Sequence, residues 1–341
     1  MSDIAVVGGQ AAHQGGRTRM AEGAWQHPDT RRVLQLALAA IWLLDAVLQY
    51  QSFMFTTGFS QMLAGTADGN PGAIASPITW DARLVGHHLI LINTVFATIQ
   101  LLLGLGIAWR PTLRVALAAS IAWSLGVWWF GEGLGGVLNG AASPLNGAPG
   151  AVIIYALLAV LLWPSDQHAA TAPFTAARAV GAPVARALWL VLWASLAYFA
   201  LTPANRAPQA LHDMVAGMAD GEPGWLAALD NHAASLLAHQ GLAASIVLAA
   251  ALAVIAVGVY LPPRGLRAIL VLAIVVAALI WVFGQAFGGI LAGGATDPNS
   301  GLLLILLALA YWPTRTAAGA PAVAAPAAAA QPAAGQDGGV A

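Results

Sequence analysis

The chain has no cysteine, no lysine and few charges of either sign: charged residues make up 8% of its 341 positions. The lack of cysteine excludes disulfides, thiol redox chemistry, cysteine-ligated iron–sulfur clusters and covalently attached c-type haem. A soluble domain carries about 25% charged residues. At 8% charged and 59% hydrophobic, this chain has too few polar groups to cover a water-facing surface. A lipid bilayer is its natural solvent. A net charge of −1 argues against a nucleic-acid binder, which would need a basic face. The first 30 residues hold no apolar h-region, so no cleavable signal peptide is expected. Residues 1–30 are Gly-, Gln- and Arg-containing and residues 314–341 are Ala/Pro/Gly/Gln-rich; both are expected to be disordered, having little to bury.

What is abundant is long apolar runs. They fall at about Val33–Phe55, Gly86–Trp109, Leu113–Leu138, Ala148–Trp163, Arg186–Pro203, Ala238–Leu261, Leu266–Ala292 and Gly301–Trp312. The second run has Thr79 or Asp81 as a candidate N-cap one or two turns earlier. The expected fold is all-α: a polytopic integral membrane protein with eight transmembrane helices.

The runs are written twice. Phe130–Gly136 reads F-G-E-G-L-G-G and returns 153 positions later as Phe283–Gly289, F-G-Q-A-F-G-G. In each half a further apolar run then closes on Trp-Pro, at Trp163-Pro164 and Trp312-Pro313. Met62–Gly72 and Met214–Gly224 align without a gap at an offset of 152, and the same offset sets His239 on His87. Such a run of matches points to an internal repeat. The expected organisation is a first four-helix repeat over 31–164, a cytoplasmic linker over 165–185 and a second four-helix repeat over 186–313. Four spans per unit is an even number, so the repeats enter the membrane the same way and are parallel.

Arginine counts set the expected orientation. With the N-terminus inside, cytoplasmic segments hold Arg17, Arg19, Arg31, Arg32, Arg110, Arg114, Arg178, Arg186, Arg264, Arg267 and Arg315, while outer loops hold Arg83 and Arg206. Eleven against two, alternating at every crossing, supports eight spans with both termini cytoplasmic, and the expected location is a bacterial inner (plasma) membrane. Trp80, Trp109, Trp163, Trp189, Trp225 and Trp312 lie near span ends, as an interfacial belt would. Trp123, Trp128 and Trp129 lie deeper and are expected to pack against the neighbouring unit.

Acidic residues and histidines concentrate on the opposite, outer side. Glu132 stands among glycines at the outer end of the third run, and Gln285 is its counterpart. A carboxylate there is costly unless paired or wet. It is either a ligand- or proton-handling group, or a side chain bonding loop amides in a Gly-rich packing motif. His87, His88 and His239 lie near outer span ends, and His232 and His239, seven apart, are expected to share a helix face. With His212 nearby, imidazole plus carboxylate would suit zinc, copper or iron, but no HExxH-type spacing is present. The alternative is interfacial histidines bonding loop carbonyls. Asp297 precedes the eighth run, where it or Asn299 can cap the helix or face a site between short paired helices. Asp45, inside the first run, is expensive in lipid and should face protein or water.

The Arg-led first run, the Gly-Phe-x-x-Met-Leu-x-Gly segment at Gly58–Gly65 and the basic turn after the second run together resemble the DoxX-like family of small four-helix membrane proteins, here as a fused pair. The resemblance implies membrane redox chemistry near the quinone pool. The lysine often seen closing that family's first span is replaced by Leu48-Gln49-Tyr50, and the F-G-E-G-L-G-G element has no match in it.

Three functions follow as expectations. One is binding or transport of a small molecule or ion in a polar pocket between the repeats, opening outward near Glu132, Gln285, His87, His239 and Asp297. A second is a quinone-linked membrane subunit whose partner supplies the cofactor. A third is an assembly protein whose Gly-rich helix faces dock another membrane protein. Neither a cofactor nor a catalytic residue is assigned by the sequence.

Overall fold

The computed structural model describes residues 29–314. The expectations for the two terminal tails lie outside the described residues. Among these residues every regular element is helical, apart from one antiparallel bridge between Phe174 and Pro313.

Six helices precede the linker: α1 (Thr30–Leu48), α2 (Thr57–Gly65), α3 (Gly72–His87), α4 (Leu89–Ala108), α5 (Leu113–Phe130) and α6 (Ala151–Leu161). Eight follow in or after it: α7 (Ala177–Val180), α8 (Ala182–Ala200), α9 (Pro203–Arg206), α10 (Ala210–Met218), α11 (Gly224–Leu237), α12 (Gly241–Gly258), α13 (Pro263–Leu279) and α14 (Asn299–Ala310). Five helical stretches are long and apolar enough to cross a membrane: Leu89–Ala108, Arg110–Phe130, Ala182–Ala200, Gly241–Gly258 and Pro263–Gly284. Their outer faces carry exposed aliphatics such as Ile90, Val115, Val191 and Val247, which a soluble protein would bury. α6 and α14 are shorter apolar helices and pack on each other, sealing the middle of the bundle with Ala, Leu and Ile.

α1 packs along α4, and α8 along α12. Large aromatic side chains fill the core where these pairs meet α6 and α14. Trp42 sits 4.4 Å from the Tyr155 ring, and Trp189 sits 4.7 Å from the Tyr311 ring. Each indole N–H is satisfied, Trp42 donating to Ser120 Oγ at 3.0 Å and Trp189 to the Ile255 carbonyl at 2.9 Å.

Several boundaries differ from the sequence expectation. The second run does not begin at Gly86. Thr79 and Asp81 lie inside a separate helix, α3, and His88 breaks it from α4 with φ −133° and ψ 40°. The third run ends at Phe130, not Leu138, because residues 133–136 turn left-handed. The seventh ends its α-helix at Leu279, not Ala292, and winds through a wider π turn to Gly284. The 165–181 part of the linker is tied down. Arg178 bridges Asp29 at 2.7 Å and Asp166 at 2.8 Å, and Arg31 reaches Asp166 at 3.1 Å.

Candidate functional site

The F-G-E-G-L-G-G stretch forms a single left-handed turn. Gly133, Leu134, Gly135 and Gly136 have φ of +55°, +56°, +64° and +70°. Ala286, Phe287, Gly288 and Gly289 repeat this at +42°, +57°, +81° and +71°. Left-handed runs are rare because each non-glycine residue in them is strained by about 1–2 kcal/mol. Here the turn brings the backbone against the chain's own loops. A Cβ on Gly135 would fall on the Pro149 carbonyl, and one on Gly288 would lie 2.6 Å from the Pro298 carbonyl carbon. The closest glycine faces are thus occupied from within the chain.

Each turn is held by matched bonds. Trp128 donates to the Pro149 carbonyl at 2.6 Å, and Trp281 to the Pro298 carbonyl at 2.7 Å. Glu132 Oε1 accepts from the Val152 amide at 3.2 Å at the start of α6. Gln285 Oε1 accepts from the Gly301 amide at 3.0 Å in the first turn of α14. Both side chains therefore receive a free amide at a helix N-terminus, where negative charge is favoured. Glu132 differs in that its second oxygen, Oε2, is buried without a hydrogen-bond partner.

That oxygen belongs to a residue lining a chamber of about 260 Å³ between α1, α2, α4 and α5, with Asp81 of α3 at its wall. Its walls include Trp42, Phe59, Phe96, Trp123 and Phe130, and its polar groups are Asp45, Gln49, Asp81, Gln100, Glu132, Thr296 and Asp297. Asp45 is 1% exposed; its Oδ2 accepts from the Tyr155 hydroxyl at 2.6 Å, and its Oδ1 has no partner. Gln49 is held by Asn93 through bonds of 2.5 and 2.8 Å. A second space of about 430 Å³, walled by the Gly-rich turn and the 139–150 loop, shares Met62, Gly131, Glu132 and Asp297 with the chamber. Glu132 and Asp297 therefore stand where the vestibule meets the chamber.

Asp297 comes from the other half of the chain. It caps its own turn, accepting from the Asn299 amide at 2.7 Å and the Thr296 hydroxyl at 2.9 Å. Its loop is docked across the halves: Gln51 donates to the Ala295 carbonyl at 3.4 Å. The reverse contact is present too, Asn205 donating to the Ala142 carbonyl at 2.9 Å. A cavity of about 440 Å³ in the second half is lined by Leu145, Val215, Ala233, Leu248, Ile280 and Phe283 among others, with His232 at its edge. It carries no acid.

Of the residues singled out from sequence, Glu132 and Asp297 come together on the chamber. Gln285 is 1% exposed and committed to Ser300 and Gly301. His87, the last residue of α3, and His88, the break after it, are exposed and do not line the chamber. His239 does not share a helix face with His232. α11 ends at Leu237 because Ala238 turns extended, and His239 takes φ +62° in the connection. His212 pairs with Asp213 at 2.9 Å. Among the described residues no three His, Asp or Glu side chains converge as a metal site. Trp123 packs within its own half, edge-on to Phe96 at 5.5 Å.

Asp45, Gln49, Asp81 and Gln100 were not singled out as site residues. The signal was there for three of them. Asp45 and Gln49 are one helical turn apart in one apolar run, and Asn93 and Gln100 are two turns apart in the next. No protein-family model, no curated protein and no solved structure matches the chain.

Proposed function

We propose that the protein is an integral membrane protein that binds or transports a small molecule through the chamber, with the vestibule opening to the extracytoplasmic side. The observation that carries this reading is the chamber itself: buried acceptors without partners inside apolar helices, joined through Glu132 and Asp297 to a wider space. Polar groups at such depth are costly, and a ligand path is their usual reason.

The membrane frame is two four-helix units crossing eight times, with both termini cytoplasmic. The two left-handed turns, the two Trp-to-Pro bonds and the reciprocal loop contacts support the duplication. On this reading each unit lends its loop to cover the cavity of the other, and only the first cavity carries acids.

The chain contains no cysteine, so single thiols can be placed without background. In intact cells a membrane-impermeant maleimide should react with Asp68→Cys, Asp220→Cys and Met62→Cys. Ser165→Cys should react only after permeabilisation. The reverse pattern would put the vestibule on the cytoplasmic side and remove the reading.

A further inference from the structure

We infer that the chamber takes an organic cation: a protonated or quaternary amine carrying an apolar body. The inference rests on the chamber being a ligand site and adds the class of ligand.

The first observation is that every ionisable side chain on the chamber is an acid. Asp45, Asp81, Glu132 and Asp297 line the chamber, no arginine or histidine does, and none of the four is in an ion pair among the described residues. The second is independent of charge. Gln100, 8% exposed, and Asp45, 1% exposed, each present a buried oxygen with no partner, and so does Glu132. These atoms accept; a ligand that satisfies them must donate or carry positive charge. One donor, the Trp123 indole N–H, is also without a partner.

The walls supply the rest. Indole and phenyl rings attract a cation over their faces and cover an apolar body at the same time. The volume is far above what one water or a bare ion needs, and among the described residues no three His, Asp or Glu side chains converge to ligate a metal. The second half shows that the fold does not require these acids. Where the duplication pairs positions, Asp45 meets Ala197, Asp81 meets Ala233, Gln100 meets Leu252 and Glu132 meets Gln285.

The test uses Thr296→Cys, with Met62→Cys as a second thiol position should the first misfold. Purified protein in lipid nanodiscs is treated with three methanethiosulfonates of similar size, bearing a trimethylammonium, a neutral or a sulfonate head. Each rate is divided by that reagent's rate with a free thiol. A cleft lined by one sign of charge raises association of the opposite charge by about 10- to 10³-fold, so the cationic reagent should lead by at least that lower factor. Asp45→Asn and Glu132→Gln should each shrink the lead, and benzyltrimethylammonium should slow all three reagents. Glu132→Gln places at this position the side chain that Gln285 already carries in the matching turn.

Equal normalised rates for the three reagents would overturn the cation inference and leave the chamber as a ligand site. A cationic lead unchanged in both acid variants would overturn it as well. No reaction by any reagent at either thiol position would remove the ligand site along with it.

Discussion

Gly135→Ala should be among the most damaging single-methyl substitutions in the chain, and its cost can be built in parts. Gly135 has φ +64°, where an alanine is strained by about 1–2 kcal/mol. The new methyl would also fall on the Pro149 carbonyl and lie 2.7 Å from the Gly150 amide nitrogen. Those atoms are backbone, fixed by the Trp128 bond on one side and by α6 on the other. No rotamer change relieves the overlap, and forced overpacking adds about 1–3 kcal/mol. The sum is a loss of about 2–5 kcal/mol. Gly140→Ala isolates the first part. Its φ is +78°, but no atom lies within 4 Å of the added carbon, so it should cost only about 1–2 kcal/mol. Gly217→Ala lies in a helix with open space around it and should gain a few tenths to about 1 kcal/mol. Unfolding in mixed SDS and maltoside micelles, followed by the native tryptophans, ranks the three. If Gly135→Ala is no worse than Gly140→Ala, the close approach of turn and loop is not as described.

Three further outcomes are expected. Asp230 is fully buried in α11 with neither carboxylate oxygen bonded, and burial raises its carboxyl above the ordinary range. Burial, then the neighbouring Asp230, raises Glu222 as well. With the folded value raised, the folded state keeps a proton that the unfolded state sheds, so stability falls as pH climbs through the raised value. Asp230→Asn should therefore stabilise at neutral pH and lose that advantage below roughly pH 4; an equal gain at both would count against it. Tyr155→Phe removes the one donor to Asp45 and leaves a buried carboxyl without partners. It should cost about 1–3 kcal/mol, more than Tyr311→Phe, which frees only the Ala185 carbonyl. The same micelle titration separates them. Arg178→Ala opens a partly exposed ion network at the linker and should cost no more than about 1 kcal/mol, shrinking in high salt.

The helical class and most of the apolar spans were legible because hydropathy needs only composition over a window. The turn geometry was not. Leu134, Ala286 and Phe287 are left-handed without being glycine, in turns that hydrogen bonds and close packing hold against the Pro149 and Pro298 loops. α3 was missed because Gly72–His87 is amphipathic and holds Pro77, so it reads as a polar connection. Glu132 drew attention as an isolated acid among glycines and Asp297 as an acid at the start of a short apolar run, and both line the chamber. Their meeting was not visible, since Asp297 reaches the chamber on a loop from the far half of the chain. The histidines drew attention by residue type and by lying near outer span ends, and the fold leaves His87, His88 and His239 exposed.

Carbodiimide mapping of the unmutated protein in native membranes tests the accessible chamber most directly. A water-soluble carbodiimide with an amine nucleophile converts solute-accessible carboxyls, and peptide mass spectrometry reports which ones. The account predicts modification at Glu132 and Asp297 together with the loop residue Asp68, and protection of Asp230, which is buried and lines none of the cavities described above. Modified Asp68 with untouched Glu132 and Asp297 would mean that the chamber is sealed from water, and the account would be wrong.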